Sequence, residues 1–98
     1  MNHLNQIILE GIVEKDAKVD GVKTTLFIKT KHYSRVTDDL CIEEVSHFEV
    51  VSYGSLAEFV GMIEKNRTVR IVGVLKQDGN GVYILAEHIE LKPKKEGV

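Results

Sequence analysis

The sequence predicts an all-β protein with one helix, in which five strands form a closed barrel. Three observations lead to this fold class. Five segments have the apolar alternation or the β-branched content of strands. One segment with helical apolar periodicity stands between the third and the fourth of them. The chain of 98 residues is long enough for one domain with one core and too short for two.

The first predicted strand runs from Asn5 to Lys15. Ile7 and Leu9 share one face at a period of two residues. Gly11 in the middle of the strand favours a sharp bend or a bulge, which lets one strand serve two sides of a barrel. Residues 16–21 are predicted to form a turn, because they end in Asp-Gly, a strong local turn signal.

The second predicted strand, Val22 to Tyr33, is rich in β-branched and aromatic residues. Three consecutive apolar residues at 26–28 leave open which side chains point inward, and one of the two choices places Lys29, Lys31 and Tyr33 together on the solvent face. Residues 34–46 follow, with one basic and four acidic side chains and a local charge of −3. Because such charge has no place in a core, this segment is predicted to be a loop or the splayed tip of a hairpin.

The third predicted strand, His47 to Tyr53, leads directly into the helix. Ser55 is predicted to be the N-cap, and Glu58 three residues later completes a capping box. The helix carries an apolar stripe suited to cover one end of a barrel, formed by Leu56, Phe59, Val60 and Ile63.

The last two strands form a predicted hairpin. Asn66 is expected to end the helical segment in the left-handed conformation. Thr68 to Gln77 then alternates with Val69, Ile71, Gly73 and Leu75 on one side, and Asp-Gly-Asn-Gly at 78–81 is a strong turn signal before Val82 to Leu91. Residues 1–92 are therefore assigned to one domain and residues 93–98 to a solvated tail. This element order is that of the OB-fold, a five-stranded Greek-key barrel whose strands two and three bind ligands together with the 1–2 and 4–5 loops.

Composition narrows the classes of function. A net charge of −2 and a pI near 6.1 argue against a uniformly basic nucleic-acid-binding surface. Outside residues 34–46 the chain has 12 basic and 11 acidic residues, a balance of +1. No apolar run approaches the ~20 residues of a membrane span. The N-terminus has no basic leader or cleavage site and the single cysteine cannot close an internal disulfide, so a cytoplasmic location is predicted.

No pattern of residues predicts catalysis. The four histidines and Cys41 include no pair at metal-ligand spacing, so we predict neither a metal site nor a cofactor. No motif places a nucleophile, a base and an orienting group together, and Gly79-Asn80-Gly81 fits a hairpin turn rather than a phosphate loop. The protein is therefore not expected to be an enzyme.

The sequence resembles the bacterial single-stranded DNA-binding proteins (SSBs). Residues 5–11, NQIILEG, are similar to that family's opening strand N-x-V-x-L-x-G, and residues 48–58, FEVVSYGSLAE, resemble its V-x-[aromatic]-G-x-L-A-E signature. Residues 69–76 and 86–89 resemble its fourth and closing strands, so the similarity extends from Asn5 to Leu91. The final strand at 86–91 and the absence of the glycine-rich linker and acidic tip of SSBs give a second resemblance, to primosomal replication proteins of the PriB type.

The resemblance implies binding of single-stranded DNA without sequence specificity, in replication, recombination or repair, by base stacking on aromatic rings and by phosphate contacts from lysine and arginine. Tyr53 matches a stacking aromatic at the end of strand three, and Tyr33 falls near another after strand two. His47 stands where many members have an aromatic residue. The basic candidates, for which ordinary surface charge is the alternative, are Lys15, Lys23, Lys29, Lys31, Arg35 and Lys76.

The sequence also departs from the SSB pattern. It has no tryptophan, and the 4–5 loop is cut to a tight turn without an aromatic residue. Glu49 alternates onto the same face as His47 and Tyr53, where a phosphate-binding surface favours a base, and Tyr83 is assigned to packing or to an interface. The alternative function is therefore a PriB-like primosomal or protein-interaction module with weak or no affinity for DNA.

Self-association is the last expectation. In the SSB family first strands pair across an interface, and here Ile8 and Ile12 are apolar on the face of strand one opposite Ile7 and Leu9, where a monomer leaves them poorly covered. A homodimer and a homotetramer both fit. Single-stranded DNA and a second copy of the chain are the expected partners, replication or primosome proteins are further candidates, and the bacterial nucleoid is the implied location.

Overall fold

Five strands close into a barrel, and a short helix connects the third strand to the fourth. The computed structural model describes residues 3–93, so the predicted tail beyond Pro93 lies outside the described residues. The strands are β1 (Ile7–Asp20), β2 (Lys23–Thr37), β3 (Leu40–Tyr53), β4 (Thr68–Asp78) and β5 (Gly81–Leu91), and the helix is α1 (Gly54–Val60). The order around the barrel is β1-β2-β3-β5-β4, and all neighbours pair antiparallel except β3 and β5, which are parallel.

Burial of Leu26 and Ile28 decides the phase of β2, which the sequence left open. Both side chains are fully buried, so the even-numbered residues of this strand point into the barrel. Lys29, Lys31 and Tyr33 consequently share the outer face. The remaining buried apolar core consists of Val13, Val50, Val60, Ile63, Val69, Ile71, Ile84, Ala86 and Ile89.

Strand β1 serves two sides of the barrel, as Gly11 predicted. Its first half pairs with β4 and its second half with β2, and Ile12 pairs with both. A Cβ at Gly11 would lie 2.6 Å from the backbone oxygen of Lys29 and 2.6 Å from Cγ2 of Ile28. Glycine is therefore required because β2 crosses so closely. The irregular pairing with β2 lies further along, between residues 13 and 18.

The turn predicted over residues 16–21 is wrong for most of its length. β1 continues to Asp20, and only Gly21 and Val22 form the turn. Ala17 is half-buried against the core, and residues 18–20 pair with β2. Strand pairing and burial of this segment thus override the local preference of its aspartates for a turn.

Residues 34–46 form a paired hairpin, which is the second of the two predicted possibilities. β3 begins at Leu40 rather than at His47, and the two strands pair up to a tight turn at Asp38 and Asp39. We call residues 30–46 the β2–β3 arm. Side chains 35–49 are all exposed, and the radius of gyration, 15.1 Å, exceeds the roughly 12.6 Å expected for a compact chain of this length, which indicates that the arm projects from the barrel.

The predicted capping box of the helix is wrong. α1 begins at Gly54, its N-cap residue is Tyr53, and no side chain caps it. Gly54 has a φ of 67°, and the N-cap lies at Tyr53 instead of Ser55, so the chain turns into the helix two residues earlier than predicted. Ser55 therefore lies inside the first turn rather than in front of it, where neither it nor Glu58 caps a backbone N–H.

The apolar side of α1 differs from the predicted stripe at two positions, Phe59 and Ile63. Ala57 and Val60 are buried, whereas Phe59 is 38% exposed. Ile63 is buried but lies beyond the helix, which ends at Val60. The buried Thr24 hydroxyl donates a hydrogen bond of 3.1 Å to the carbonyl of Ala57, which ties the helix to β2.

The second half of the barrel follows the prediction closely. β4 and β5 each begin or end within one residue of their predicted bounds. Asn66 has a φ of 75°, in the left-handed region as predicted, although it lies in the turn before β4 and not at the helix end. Leu75, which the alternation places on the same side as the buried Val69 and Ile71, is 44% exposed, because β4 there extends past the core into its hairpin with β5.

Candidate nucleic-acid interface

The outer surface of β2 and β3 carries most of the predicted site residues. Strand pairing sets Lys23 opposite Tyr53, and residues directly opposite each other in antiparallel strands point to the same side. We call this surface the β2–β3 face. Its members are Lys23, Thr25, Phe27, Lys29, Lys31, Tyr33 and Arg35 from β2, and Cys41, Glu43, Val45, His47, Glu49, Val51 and Tyr53 from β3.

The basic side chains of β2 are all on this face. Lysine or arginine occupies positions 23, 29, 31 and 35, against the two carboxylates of Glu43 and Glu49. The other side of the β2–β3 arm carries Glu44 and, at its described positions, no lysine or arginine. Twelve residue steps separate Lys23 from Arg35, which span about 40 Å at ~3.3 Å each. A nearly neutral sequence thus folds with its strand-two cations in one row.

Tyr53 lies where β3 ends and is 51% exposed. The left-handed Gly54 directly after it turns the chain away into α1, and the Gly54 N–H donates a hydrogen bond of 3.3 Å to the carbonyl of Val22. This bond fixes the strand end against the 1–2 turn. Tyr53 therefore stands half open beside Lys23, as an accessible aromatic ring with a cationic neighbour.

A groove with a volume of about 190 Å³ lies beside Tyr53. Its walls come from the β2–β3 face and from the β4–β5 hairpin, and Val51, which also lines it, is only 4% exposed. The residues that matter here are Lys23, Thr25, Glu49, Val51, Tyr53 and Tyr83, together with part of the turn at 78–82.

Tyr83 lines the candidate site, although the sequence did not predict it there. The sequence assigned it to packing or an interface, but it is half-buried and lines the same groove as Tyr53. β5 reaches this position because it pairs in parallel with β3, through Val50 with Ile84 and Val51 with Leu85. Its closeness to the 4–5 turn, a usual ligand-binding element of OB-folds, is the sequence signal that could have identified it.

Tyr33 lies further out, on the β2–β3 arm, and is 60% exposed. Its hydroxyl donates a hydrogen bond to the carboxylate of Glu43, its cross-strand neighbour. This bond, together with the negative charge of the carboxylate, raises the pKa of Tyr33. The hydroxyl of Tyr33 is therefore bound to Glu43, while most of the tyrosine side chain remains exposed to solvent.

His47 is held by an acidic residue of β1. Its Nδ1–H donates a hydrogen bond of 2.8 Å to Oε1 of Glu14, and 62% of the histidine side chain remains exposed. The ring is therefore oriented and accessible. The same hydrogen bond places the Glu14 carboxylate at the edge of the β2–β3 face, near Lys29, which lies opposite His47.

Lys15 joins the β2–β3 face through a ring contact that the sequence did not predict. Its Nζ lies 4.2 Å from the centroid of the Phe27 ring, a cation–π geometry. Phe27 was overlooked because the phase of β2 was open. Lys76 stands apart from the other cations. It lies opposite Tyr83 in the β4–β5 hairpin and does not line the groove.

Ile8 and Ile12 are placed away from this face, on the part of β1 that pairs with β4. Ile8 is 68% exposed and Ile12 is half-buried. Between them, Glu10 accepts a hydrogen bond of 3.0 Å from Nη2 of Arg70. The exposed apolar surface here is therefore interrupted by an ion pair.

The described part of the chain offers neither a metal-binding cluster nor a membrane-spanning helix. Residues 3–93 contain no group of three or more histidine, cysteine, aspartate or glutamate side chains able to hold a metal ion. No helix within the same residues is long and apolar enough to cross a membrane.

A closed five-stranded barrel with a helix between the third and fourth strands defines the OB-fold, so the predicted fold class is confirmed. No family model matches the sequence, and the curated proteins include no match. Solved structures do match. A Plasmodium falciparum SSB in complex with ssDNA superposes with a TM-score of 0.81 at 15% identity, over 95% of this chain and 98% of that one.

Two further structures show the same likeness. The single-stranded DNA-binding protein of Thermus aquaticus, in a deletion mutant, gives a TM-score of 0.82 at 21% identity over 94% of this chain, which spans only 52% of that one. PriB of Ralstonia solanacearum gives a TM-score of 0.71 at 13% identity, over 92% of this chain and 100% of that one. The resemblance to SSB and PriB proteins is therefore confirmed at the level of the fold.

Proposed function

We propose that residues 1–92 form a non-enzymatic module that binds single-stranded DNA without strong sequence preference, in replication, recombination or repair. The observation that carries the proposal is the half-exposed Tyr53 ring at the exit of β3, with the strand-two cations in a row on the same face. Aromatic stacking tolerates any base because every base has a π-face, and lysine and arginine neutralise the phosphates.

The length of the cation row supports a site of ordinary size for one OB-fold. The row spans about 40 Å, which accommodates no more than about 12 nucleotides at the ~3.4 Å rise of a stacked strand and fewer in an extended one. Single OB-folds bind roughly 4–16 nucleotides. Lys23, Lys29, Lys31 and Arg35 contact phosphates in this proposal, and Lys15 contributes from the edge of the face. His47 contributes from the middle of the row, opposite Lys29, and Tyr33 from the end near Arg35. Lys76 contributes from the β4–β5 hairpin.

The structural relatives give independent support. The Plasmodium falciparum SSB that superposes on this chain is in complex with ssDNA, and the similar proteins from Thermus aquaticus and Streptomyces coelicolor are both single-stranded DNA-binding proteins. A module of this function acts where unpaired DNA occurs, which fits the proposed location in the bacterial cytoplasm at the nucleoid.

Titration of a fluorescently labelled oligo-dT at low and at moderate salt tests the proposal. Tyr53→Ala is expected to weaken binding by roughly fivefold to a hundredfold, because stacking of one base contributes about 1–3 kcal/mol. Tyr53→Phe is the matched control, since it keeps the ring and is expected to bind within about twofold of the unchanged protein. Half of the Tyr53 side chain is already in solvent, so neither change is expected to unfold the barrel.

Failure to bind oligo-dT at low salt would contradict the proposal and favour the alternative, a protein-interaction module of the PriB type. One observation favours that alternative. Val19, Val22 and Met62 are 62%, 75% and 75% exposed around a second groove, between the 1–2 turn and α1. Exposed apolar side chains grouped in this way are typical of protein contacts, here with a replication or primosome protein.

We also propose self-association through the outer side of β1, as a homodimer or homotetramer. Ile8 is 68% exposed, and full burial of an isoleucine side chain is worth about 1.5–3 kcal/mol. Ile8→Glu is expected to shift the molar mass measured by light scattering toward that of the monomer, 11.0 kDa. An unchanged mass would exclude Ile8 from the interface. Ile12, which is already half-buried, is the secondary contact.

A further inference from the structure

The groove beside Tyr53 contains a carboxylate without a partner. Within residues 3–93 the side chain of Glu49 has no hydrogen bond and no ion pair, although it is exposed among the cations of the β2–β3 face. The other acidic residue of the groove, Asp78, is already engaged, since its Oδ1 accepts a hydrogen bond of 2.8 Å from the backbone N–H of Asn80. Glu49 is therefore the carboxylate of this groove that accepts no hydrogen bond from the described residues.

A free carboxylate is unfavourable next to a phosphate but favourable next to a base that donates hydrogen bonds. Cytosine, adenine and guanine carry an exocyclic amine, and glutamate is a recognised acceptor for the N4 amine of cytosine. Thymine instead presents the O4 carbonyl at the corresponding position, and its lone pairs repel a carboxylate. A negative charge at position 49 thus favours bases whose edge carries an amine over thymine, whose edge carries a carbonyl.

The shape of the groove fits a single base. Its volume is about 190 Å³, and a cavity of roughly 150 Å³ holds one benzene ring, so the groove matches the size of one base ring. Tyr53 and Tyr83 both line it and offer ring surfaces, and Glu49 is four residues from Tyr53 on the same face of β3. Lys23 lies opposite Tyr53, so its cationic side chain is available to the phosphate of a nucleotide whose base stacks on that ring.

We propose that this groove holds one base that bears an exocyclic amine, that the amine donates to the Glu49 carboxylate, and that the protein consequently favours cytosine over thymine at this one position. The inference rests on the proposed binding of single-stranded DNA and adds its base preference. Glu49 acts here as a specificity-determining residue, while stacking and phosphate contacts supply the affinity.

Competition between oligo-dC and oligo-dT of equal length tests the inference. The two pyrimidines are similar in ring size, so the comparison emphasises the base edge. The quantity to measure is the ratio of the two dissociation constants in the unchanged protein and in Glu49→Gln. Because a glutamine amide both donates and accepts, it accommodates either edge, and the preference for dC is expected to fall by about fivefold or more in this variant. Affinity for dT is expected to rise, since a negative charge is removed.

Glu44→Gln is the matched control. Glu44 belongs to the same strand and is exposed, but it points to the other side of the β2–β3 arm. The same change of charge there is expected to leave the ratio of dC to dT affinity within about twofold. Thermal denaturation of both variants serves as the folding control. Midpoint temperatures equal to that of the unchanged protein confirm that the barrel is intact.

The outcomes separate this inference from the function on which it rests. A ratio that falls in Glu49→Gln and stays constant in Glu44→Gln supports it. Salt-sensitive binding of both oligonucleotides with a ratio that neither variant alters would overturn the base preference and leave single-stranded DNA binding in place. Absence of binding to either oligonucleotide at low salt would overturn both.

Discussion

Replacement of Lys31 by glutamine tests whether the cations on the β2–β3 face contact phosphates. Lys31 is exposed, lies two residues from Lys29 on the same strand face, and is opposite the uncharged Val45. Each phosphate contact adds about 0.7 to the slope of log affinity against log salt for a single strand. The contacts from the four strand-two cations and Lys15 together give a slope of about 3.5, so Lys31→Gln is expected to lower this slope to about 2.8.

The same arithmetic gives the size of the effect in a titration. Between 50 and 200 mM salt, a slope of about 3.5 weakens binding by roughly 130-fold, whereas a slope of about 2.8 weakens it by roughly 50-fold. Fluorescence titrations of oligo-dT at several salt concentrations in this range resolve the difference. The base preference is expected to stay unchanged, because phosphate contacts carry no sequence information.

A matched control distinguishes a local contact from the overall charge. Lys65→Gln removes the same charge from an exposed position in the turn between α1 and β4, away from the β2–β3 face. Its slope is expected to equal that of the unchanged protein. An identical slope in Lys31→Gln would remove Lys31 from the proposed contacts. Equal decreases in both variants would refute the assignment of phosphate binding to this face.

Two further predictions concern stability and ionisation. Gly11→Ala is expected to lower the free energy of unfolding by about 1–3 kcal/mol because its Cβ would meet the Lys29 carbonyl, whereas Gly79→Ala, which has open space, is expected to be nearly neutral in thermal denaturation. Glu43→Gln is expected to lower the pKa of Tyr33 toward its ordinary value near 10, measured by phenolate absorbance after the other two tyrosines are changed to phenylalanine. Because the folded pKa is raised, the stability contributed by this pair is present below about pH 10 and is lost as the phenol ionises, so a stabilising effect that grows with alkaline pH would contradict it.

Local signals in the sequence carried most of the fold prediction. Apolar alternation located five strands, Asp-Gly-Asn-Gly located the last hairpin, and Gly11 indicated how β1 serves two neighbours. The change from strand to helical apolar periodicity after Tyr53 predicted the passage from β3 into the helix. Each of these signals depends on a few adjacent residues, so it can be recognised without knowing how the rest of the chain folds. Where pairing partners decided the outcome, at residues 16–21 and 34–46, local propensity misplaced the strand ends.

What only the tertiary structure decided is the composition of the groove and of the cation row. The cation row could be recognised only when it was known which side chains of β2 point outward. The three consecutive apolar residues of this strand have no periodicity that decides this, so burial against the other strands decides it. The groove required the parallel pairing of β3 with β5, which brings Tyr83 to Tyr53 from thirty positions along the chain. By itself the sequence determined a barrel with an aromatic ring at the exit of β3. Folding determined which charges surround that ring, because contacts between distant strands follow from burial of the whole core.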